Sequence, residues 1–244
     1  MKKYLYLSFI MVAIFSRLHA QGDLLNDAKK LVGGNKSSAG AGLSNTDIVG
    51  GLKEALTLGA QKSAGRLSVV DGFLKDAAVK ILLPPEAQKV EKTLRSLGMG
   101  SLVDDAIASM NHAAEDAAKS AAPIFVNAVK NMSIQDALGI LRGPDTAATS
   151  YLKKTTTPDL SKAFKPVIDT SLRKTDATKY WKTVFDTYNS LPTTFKKVDP
   201  DLSSYVTQRA MNGIFYYVAQ EEAKIRKDPA AQATDLLKKV FGSK

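Results

Sequence analysis

YVTQRAMNGIFYYVAQEEAKIRKDP, residues 205–229, carries Met211, Ile214, Phe215, Val218 and Ile225 at intervals that return to one side of an α-helix, and Gly213 leaves room for another helix to come close. Glu222 and Arg226 stand four apart with the acid first, the favourable order for a helical ion pair; Glu221, one residue round, is the alternative inward-facing acid. The stretch ends at Asp228-Pro229, an N-cap residue followed by the residue that best opens a helix. Thr157-Pro158 and Asp199-Pro200 repeat the device. Together these pairs predict helices over about 158–173, 200–227 and 229–241, with another over about 176–190.

Toward the N-terminus the same reading continues. Ser44, Thr46 and Asp47 offer N-cap oxygens to a helix over 46–67, whose apolar side includes Ile48, Leu52, Ala55 and Leu56. Asp71-Gly72 reads as a turn and Val79 to Leu83 as a short extended run, ended by Pro84-Pro85. A helix with Val90, Leu94 and Leu97 on one side stops at Gly98. An alanine-rich helix runs from Ser101 past Ala122, with Pro123 as its kink or break. Ser133 with Asp136 forms a capping pair, Gly143-Pro144 the matching stop, and Asp145 caps a helix through Tyr151 and Lys154. No stretch alternates apolar and polar residues long enough for a sheet. The expected fold is all-α, a single irregular multi-helix bundle over residues 43–244, with room for one short β-hairpin near 68–83.

At the other end, Lys2 and Lys3, the apolar run Leu5 to Phe15 and the exit Leu18-His19-Ala20 have the pattern of a cleaved secretory signal over residues 1–20. The working protein is then expected to begin at Gln21, in the periplasm or outside the cell, without a transmembrane segment. Residues 21–42 read as an N-terminal arm: Leu24, Leu25, Ala28, Leu31 and Val32 at helical spacing, then the linker GGNKSSAGAG at 33–42.

The chain has no cysteine, so thiol catalysis, iron–sulfur clusters and thiolate-bound zinc are excluded, and an exported domain must be held by its core alone. Charge is uneven. Residues 21–150 carry 14 Lys and Arg against 14 Asp and Glu, whereas residues 151–244 carry 17 against 10, net +7. A basic C-terminal portion in an envelope compartment points to anionic lipid, lipopolysaccharide or glycan as partner and away from nucleic acid; equally it serves solubility.

Beyond His19, His112 is the only histidine, which removes two-histidine metal motifs, and no G-x-S-x-G or phosphate-loop motif occurs. No metal site and no cofactor is implied. MNHAAEDAA, residues 110–118, pairs Asn111 with Glu115 and His112 with Asp116 on shared helix faces. Glu115 could be a buried general acid oriented by Asn111, or these are ordinary hydrogen-bonded pairs. Glu222 with Arg226 fastens the fold or grips a polar ligand. Tyr151, Tyr180, Trp181, Phe185 and Tyr188 form a core stripe or a stacking platform.

The strings LSNTDIVGGLKEAL, DGFLKDAAVKILLP, MNHAAEDAA, DALGILRGPDTAATSYL and DLSSYVTQRAMNGIFYYVAQEEAKIRKDPAAQATDLLKKVF resemble the bacterial family catalogued as domain of unknown function 4197, over roughly residues 43–242. The resemblance implies an exported or envelope-associated protein and brings no activity, cofactor or catalytic residue. It implies a basic, arginine-like residue more often at the position of His112, while Asn111, Glu115, Tyr205, Glu222, Ile225, Arg226 and Pro229 sit where its pattern expects them. The functional expectation is a non-catalytic binding module for an anionic or amphipathic ligand, with Asn111, Glu115, Tyr151, Tyr180, Tyr205, Glu222 and Arg226 as candidate ligand contacts. The alternatives are a single-carboxylate glycan-cleaving enzyme using Glu115 or Glu222, and a protein–protein interaction module.

Overall fold

Capping chemistry sets the first boundaries of the computed structural model, which describes residues 44–175, 178, 181–182, 186, 189, 201–228 and 238. Helix α1, Asn45–Leu67, opens on a capping box: the Ser44 hydroxyl accepts from the Asp47 amide at 3.1 Å and the Asp47 carboxylate accepts from the Ser44 amide. A 3₁₀ turn, Pro85–Ala87, leads into α2, Gln88–Ser96. That helix ends in a Schellman turn, with Gly98 at φ 78° and the Met99 amide donating to the Leu94 carbonyl. The alanine-rich stretch is two helices, α3 (Gly100–Ala118) and α4 (Ala121–Lys130). Their break precedes Pro123, which sits in the first turn of α4, where its missing donor costs nothing. Helix α5, Ile134–Arg142, opens on the Ser133–Asp136 capping box and stops at Gly143. Helices α6, Ala147–Arg173, and α7, Leu202–Lys227, are the longest.

Two expected boundaries fall elsewhere. Thr157-Pro158 does not open a helix; α6 runs straight through Pro158 and Pro166. Both prolines lie on the exposed side, where water can take the carbonyls they leave without a donor. Helix α7 begins at Leu202, with Asp201 as its N-cap accepting from the Ser204 amide at 3.1 Å; Asp199-Pro200 lies outside the described residues. Asp228 closes α7, and the helix expected after it, like most of the one expected at 176–190, lies outside the described residues.

The core sits where α6 and α7 pack along each other and against α1, α3 and α4. Ala148, Leu152, Thr156, Leu160, Phe164, Ile168 and Leu172 are buried at a strict spacing of four. On a helix of 3.6 residues per turn each such step advances about 40°, so the apolar stripe winds round α6, which packs against α3, α4, α5 and α7. Phe125 and Phe215 meet edge to face, with centroids 5.8 Å apart.

Residues 68–83 form turns, and no strand occurs among the described residues. Asp71, at φ 65°, takes the left-handed conformation of the Asp-Gly turn, and a Cβ on Gly72 would lie 2.8 Å from the Arg66 carbonyl. Gly213 gives close approach, but to this loop and not to a helix: a Cβ there would lie 2.6 Å from Phe73 Cε1.

Candidate functional site

Irregular backbone buried in a helical protein must find partners for its amides and carbonyls. The polar residues singled out in the sequence supply them. Glu115, on α3 and 4% exposed, accepts from the amides of Asp71 (3.2 Å), Phe73 (3.0 Å) and Leu74 (3.2 Å). One turn earlier, Asn111 meets both backbone groups of Ile81: its Oδ1 accepts from the amide and its Nδ2 donates to the carbonyl, each at 2.8 Å. The side chain does for Ile81 what a neighbouring strand would do. Tyr205 donates its hydroxyl to the Leu82 carbonyl at 2.7 Å. Asp76 accepts from Arg66 at 3.0 Å and from the Tyr217 hydroxyl, with Arg66 stacked 4.3 Å over the Tyr217 ring. Burial alone would raise the Asp76 pKa; the Tyr217 hydroxyl, Arg66 and the Ala78 amide together outweigh it and hold the carboxyl below its ordinary range. Asn111, Glu115 and Tyr205 therefore converge on one loop.

Glu222 and Arg226 converge on another place. Helix α6 has no side-chain cap of its own, and Glu222, reaching across from α7, accepts from the first-turn amides of Ala148 (3.0 Å) and Thr149 (2.9 Å) and from the Thr149 hydroxyl. Arg226 pairs with Glu222 at 3.0 Å and donates to the Ile140 carbonyl in the last turn of α5. One buried ion pair thus caps the end of α5 and the start of α6. Glu221 is half-buried against α1, where a Cβ on Gly59 would lie 3.4 Å from its own, and its carboxylate pairs with Lys224 at 2.9 Å and with Lys62 of α1 at 3.9 Å. Tyr151 is half-buried beside this corner, where burial, and after it the Asp136 carboxylate, pushes its hydroxyl above the ordinary range. Trp181 is buried and stacks on Tyr205 at 5.8 Å, while Tyr180, Phe185 and Tyr188 lie outside the described residues.

Of these residues only Trp181 lines the cleft. A cleft of about 780 Å³ opens between α2, α3 and the end of α6, walled by Leu83, Leu94, Val103, Met110, Trp181 and Leu202. Small side chains on α3, Ala106 and Ala113, leave the space. At one end stand His112, Asp116, Ser171 and Lys174. His112 is half-exposed, and its Nδ1 lies 2.9 Å from Glu115. Because the carboxylate accepts, we assign Nδ1 as the donor, which leaves Nε2 as the free ring atom. Asp116 does not pair with His112; it accepts from Lys119 at 2.8 Å and from the Ser171 hydroxyl at 3.1 Å. The sequence reading missed Ser171 and Lys174. The signal available in the sequence is the small side chains of α3, of which Ala106, Ala108 and Ala113 line the cleft. Among the described residues no group of three or more His, Asp or Glu could hold a metal ion, and no helix is long and apolar enough to cross a membrane.

Fold and cleft define an all-α helical domain with an apolar cleft. The chain belongs to the family described as Protein of unknown function (DUF4197), whose model matches residues 42–242. No curated protein and no solved structure matches it.

Proposed function

We propose that this chain is a non-catalytic envelope protein that binds an amphipathic ligand, the apolar part in the cleft and the polar head at the His112–Lys174 end. The cleft carries the reading: its volume of about 780 Å³ is that of a small-molecule site, and its wall is apolar with a few polar groups gathered at one end. Most of its wall comes from α2 and α3, while Ser171, Lys174, Thr175, Trp181 and Leu202 of the basic portion 151–244 complete it, and it is the amphipathic character of the wall that supports the reading. The N-terminal pattern of residues 1–20 supports export. The enclosure of Glu115 and Glu222, both saturated by donors and neither facing the cleft, speaks against a single-carboxylate glycan cleaver.

Trp181 is the only tryptophan and lines the cleft, so its emission reports occupancy. Titration with alkyl maltosides of increasing chain length, below micelle formation, should show affinity rising about fourfold per added methylene, the equivalent of about 0.8 kcal/mol. Ala106→Phe, which fills the cleft, should abolish the response while leaving the melting temperature within a few degrees. Affinity independent of chain length, or unchanged in Ala106→Phe, would refute the proposal.

A further inference from the structure

Two helices set the long axis of the cleft. Asn111 holds Ile81 at one end of the α2–α3 pair and Arg95 meets Asp104 at 2.7 Å at the other, so the segment from Leu83 through α2 runs antiparallel to α3. Each gives the cleft a row of side chains at about one-turn spacing. Leu83, Ala87, Glu91 and Leu94 form one row, and Leu102, Ala106, Ser109 and Ala113 the other. The cleft is therefore a trough that follows α3. At about 1.5 Å per residue its floor from Ala113 to Leu102 is about 16 Å long.

The two ends of the trough differ. The connection from α2 to α3, residues 97–99, crosses one of them: the Met99 amide donates to the Leu94 carbonyl at 2.9 Å, and Leu94, Met99 and Leu102 all line the space there. At the other end His112, Asp116 and Lys174 reach solvent. Between the ends the charges turn aside, Glu91 to Arg95 at 3.0 Å and Asp105 to the exposed rim. Trp181 belongs to the His112 end. It stacks on Tyr205, whose hydroxyl donates to the Leu82 carbonyl, next to the Ile81 that Asn111 holds.

From this shape we infer that the apolar part of the ligand is an unbranched alkyl chain lying lengthwise along α3, its head outward between His112 and Ser171 and its end at Leu102, which sets the greatest chain length. The inference rests on the binding reading above and is independent of the charge of the head group. Carbon–carbon bonds of about 1.5 Å at an angle of about 111° advance about 1.25 Å per methylene, so the floor holds about thirteen carbons. A dodecyl chain reaches Leu102, whereas an octyl chain, about 10 Å long, stops near Ala106.

The test uses the full chain and octyl and dodecyl maltoside below micelle formation, read by Trp181 emission, with circular dichroism confirming an intact fold. Leu102→Gln, at a half-buried position, should weaken dodecyl maltoside about tenfold or more and leave octyl maltoside within about twofold of the parent. On the parent protein, dodecyl maltosides brominated at carbons 2 and 3, 6 and 7, or 10 and 11 should quench Trp181 in that decreasing order, a result that stands whether or not the variant folds. Octyl and dodecyl chains affected alike by Leu102→Gln, or quenching that is equal or reversed along the series, would overturn the lengthwise placement; affinity in the parent that still rises from octyl to dodecyl would leave the binding reading intact. Affinity in the parent that ignores chain length would overturn both.

Discussion

Glu115 and Glu222 are buried to nearly the same depth, yet Glu222 faces a buried guanidinium and Glu115 an imidazole half in solvent. At the α5–α6 corner the carboxylate answers two helix amides, a hydroxyl and the guanidinium of Arg226, which is itself 7% exposed. At the 68–84 loop the carboxylate answers three amides and an imidazole that is half in solvent. A buried carboxylate that orders a turn is thus held mainly by backbone amides, whereas joining two helix ends brings in a buried guanidinium. The two sites should respond differently to losing that charge. Glu222→Gln leaves Arg226 buried without its counter-charge and should cost about 3–5 kcal/mol, read as a lowered denaturation midpoint. Adding Arg226→Met should recover much of that loss. A double variant no better than the single one would show that the helix caps, and not the charge pair, carry the stability.

Glu115→Gln should cost less, about 2–3 kcal/mol, because only hydrogen bonds weaken and no buried cation is stranded. Its effect should also be local. Amide exchange at Asp71, Phe73 and Leu74 should accelerate while the cores of α6 and α7 stay protected. Acceleration spread evenly over the chain would instead make Glu115 a support of the whole core. Gly213→Ala probes the same loop from its other side. The added Cβ would lie 2.6 Å from Phe73 Cε1 and 3.3 Å from Val79 Cβ, so the loop must shift, at a cost of about 1–3 kcal/mol. Combined with Glu115→Gln the losses should be non-additive, since both loosen one segment.

The sequence made the helix ends readable wherever the chemistry is local. Ser44 with Asp47, Ser133 with Asp136, and Gly98 each act within one turn, and the Glu222–Arg226 pair is four residues long. Thr157-Pro158 misled because the same dipeptide opens a helix or rides on its exposed side, depending on packing elsewhere. In α6 the hydroxyls of Thr155, Thr156 and Thr157 bond back to carbonyls three or four residues earlier, and the helix simply continues. Of the candidate residues Asn111, Glu115 and Glu222 are buried, and the partners of the two carboxylates lie beyond any local pattern: Glu115 reaches back more than forty residues and Glu222 more than seventy. The cleft was invisible for a different reason. It is bounded by side chains from three helices and is made by what Ala106 and Ala113 lack, and an absence of volume on one helix has no periodicity.

Asp201 is the exposed control for the two buried carboxylates. It caps α7, accepting from the Ser204 amide at 3.1 Å and from Lys165 at 2.9 Å, yet its side chain is 43% exposed. Burial would raise its pKa; the Ser204 hydroxyl, Lys165 and the Ser204 amide outweigh that and bring it down to about 2. A carboxyl depressed in the folded state contributes stability that is present above the unfolded value of about 3.9 and lost as pH falls toward the folded value. Asp201→Ala should therefore cost about 0.5–2 kcal/mol at neutral pH, the range of a lost N-cap. The gap between the variant and the parent should close as pH falls from about 4 to about 2. Urea denaturation of both proteins across that window measures it. A gap that persists undiminished at pH 2 would mean that the cap works through the neutral acid, and that the charge on Asp201 contributes nothing there.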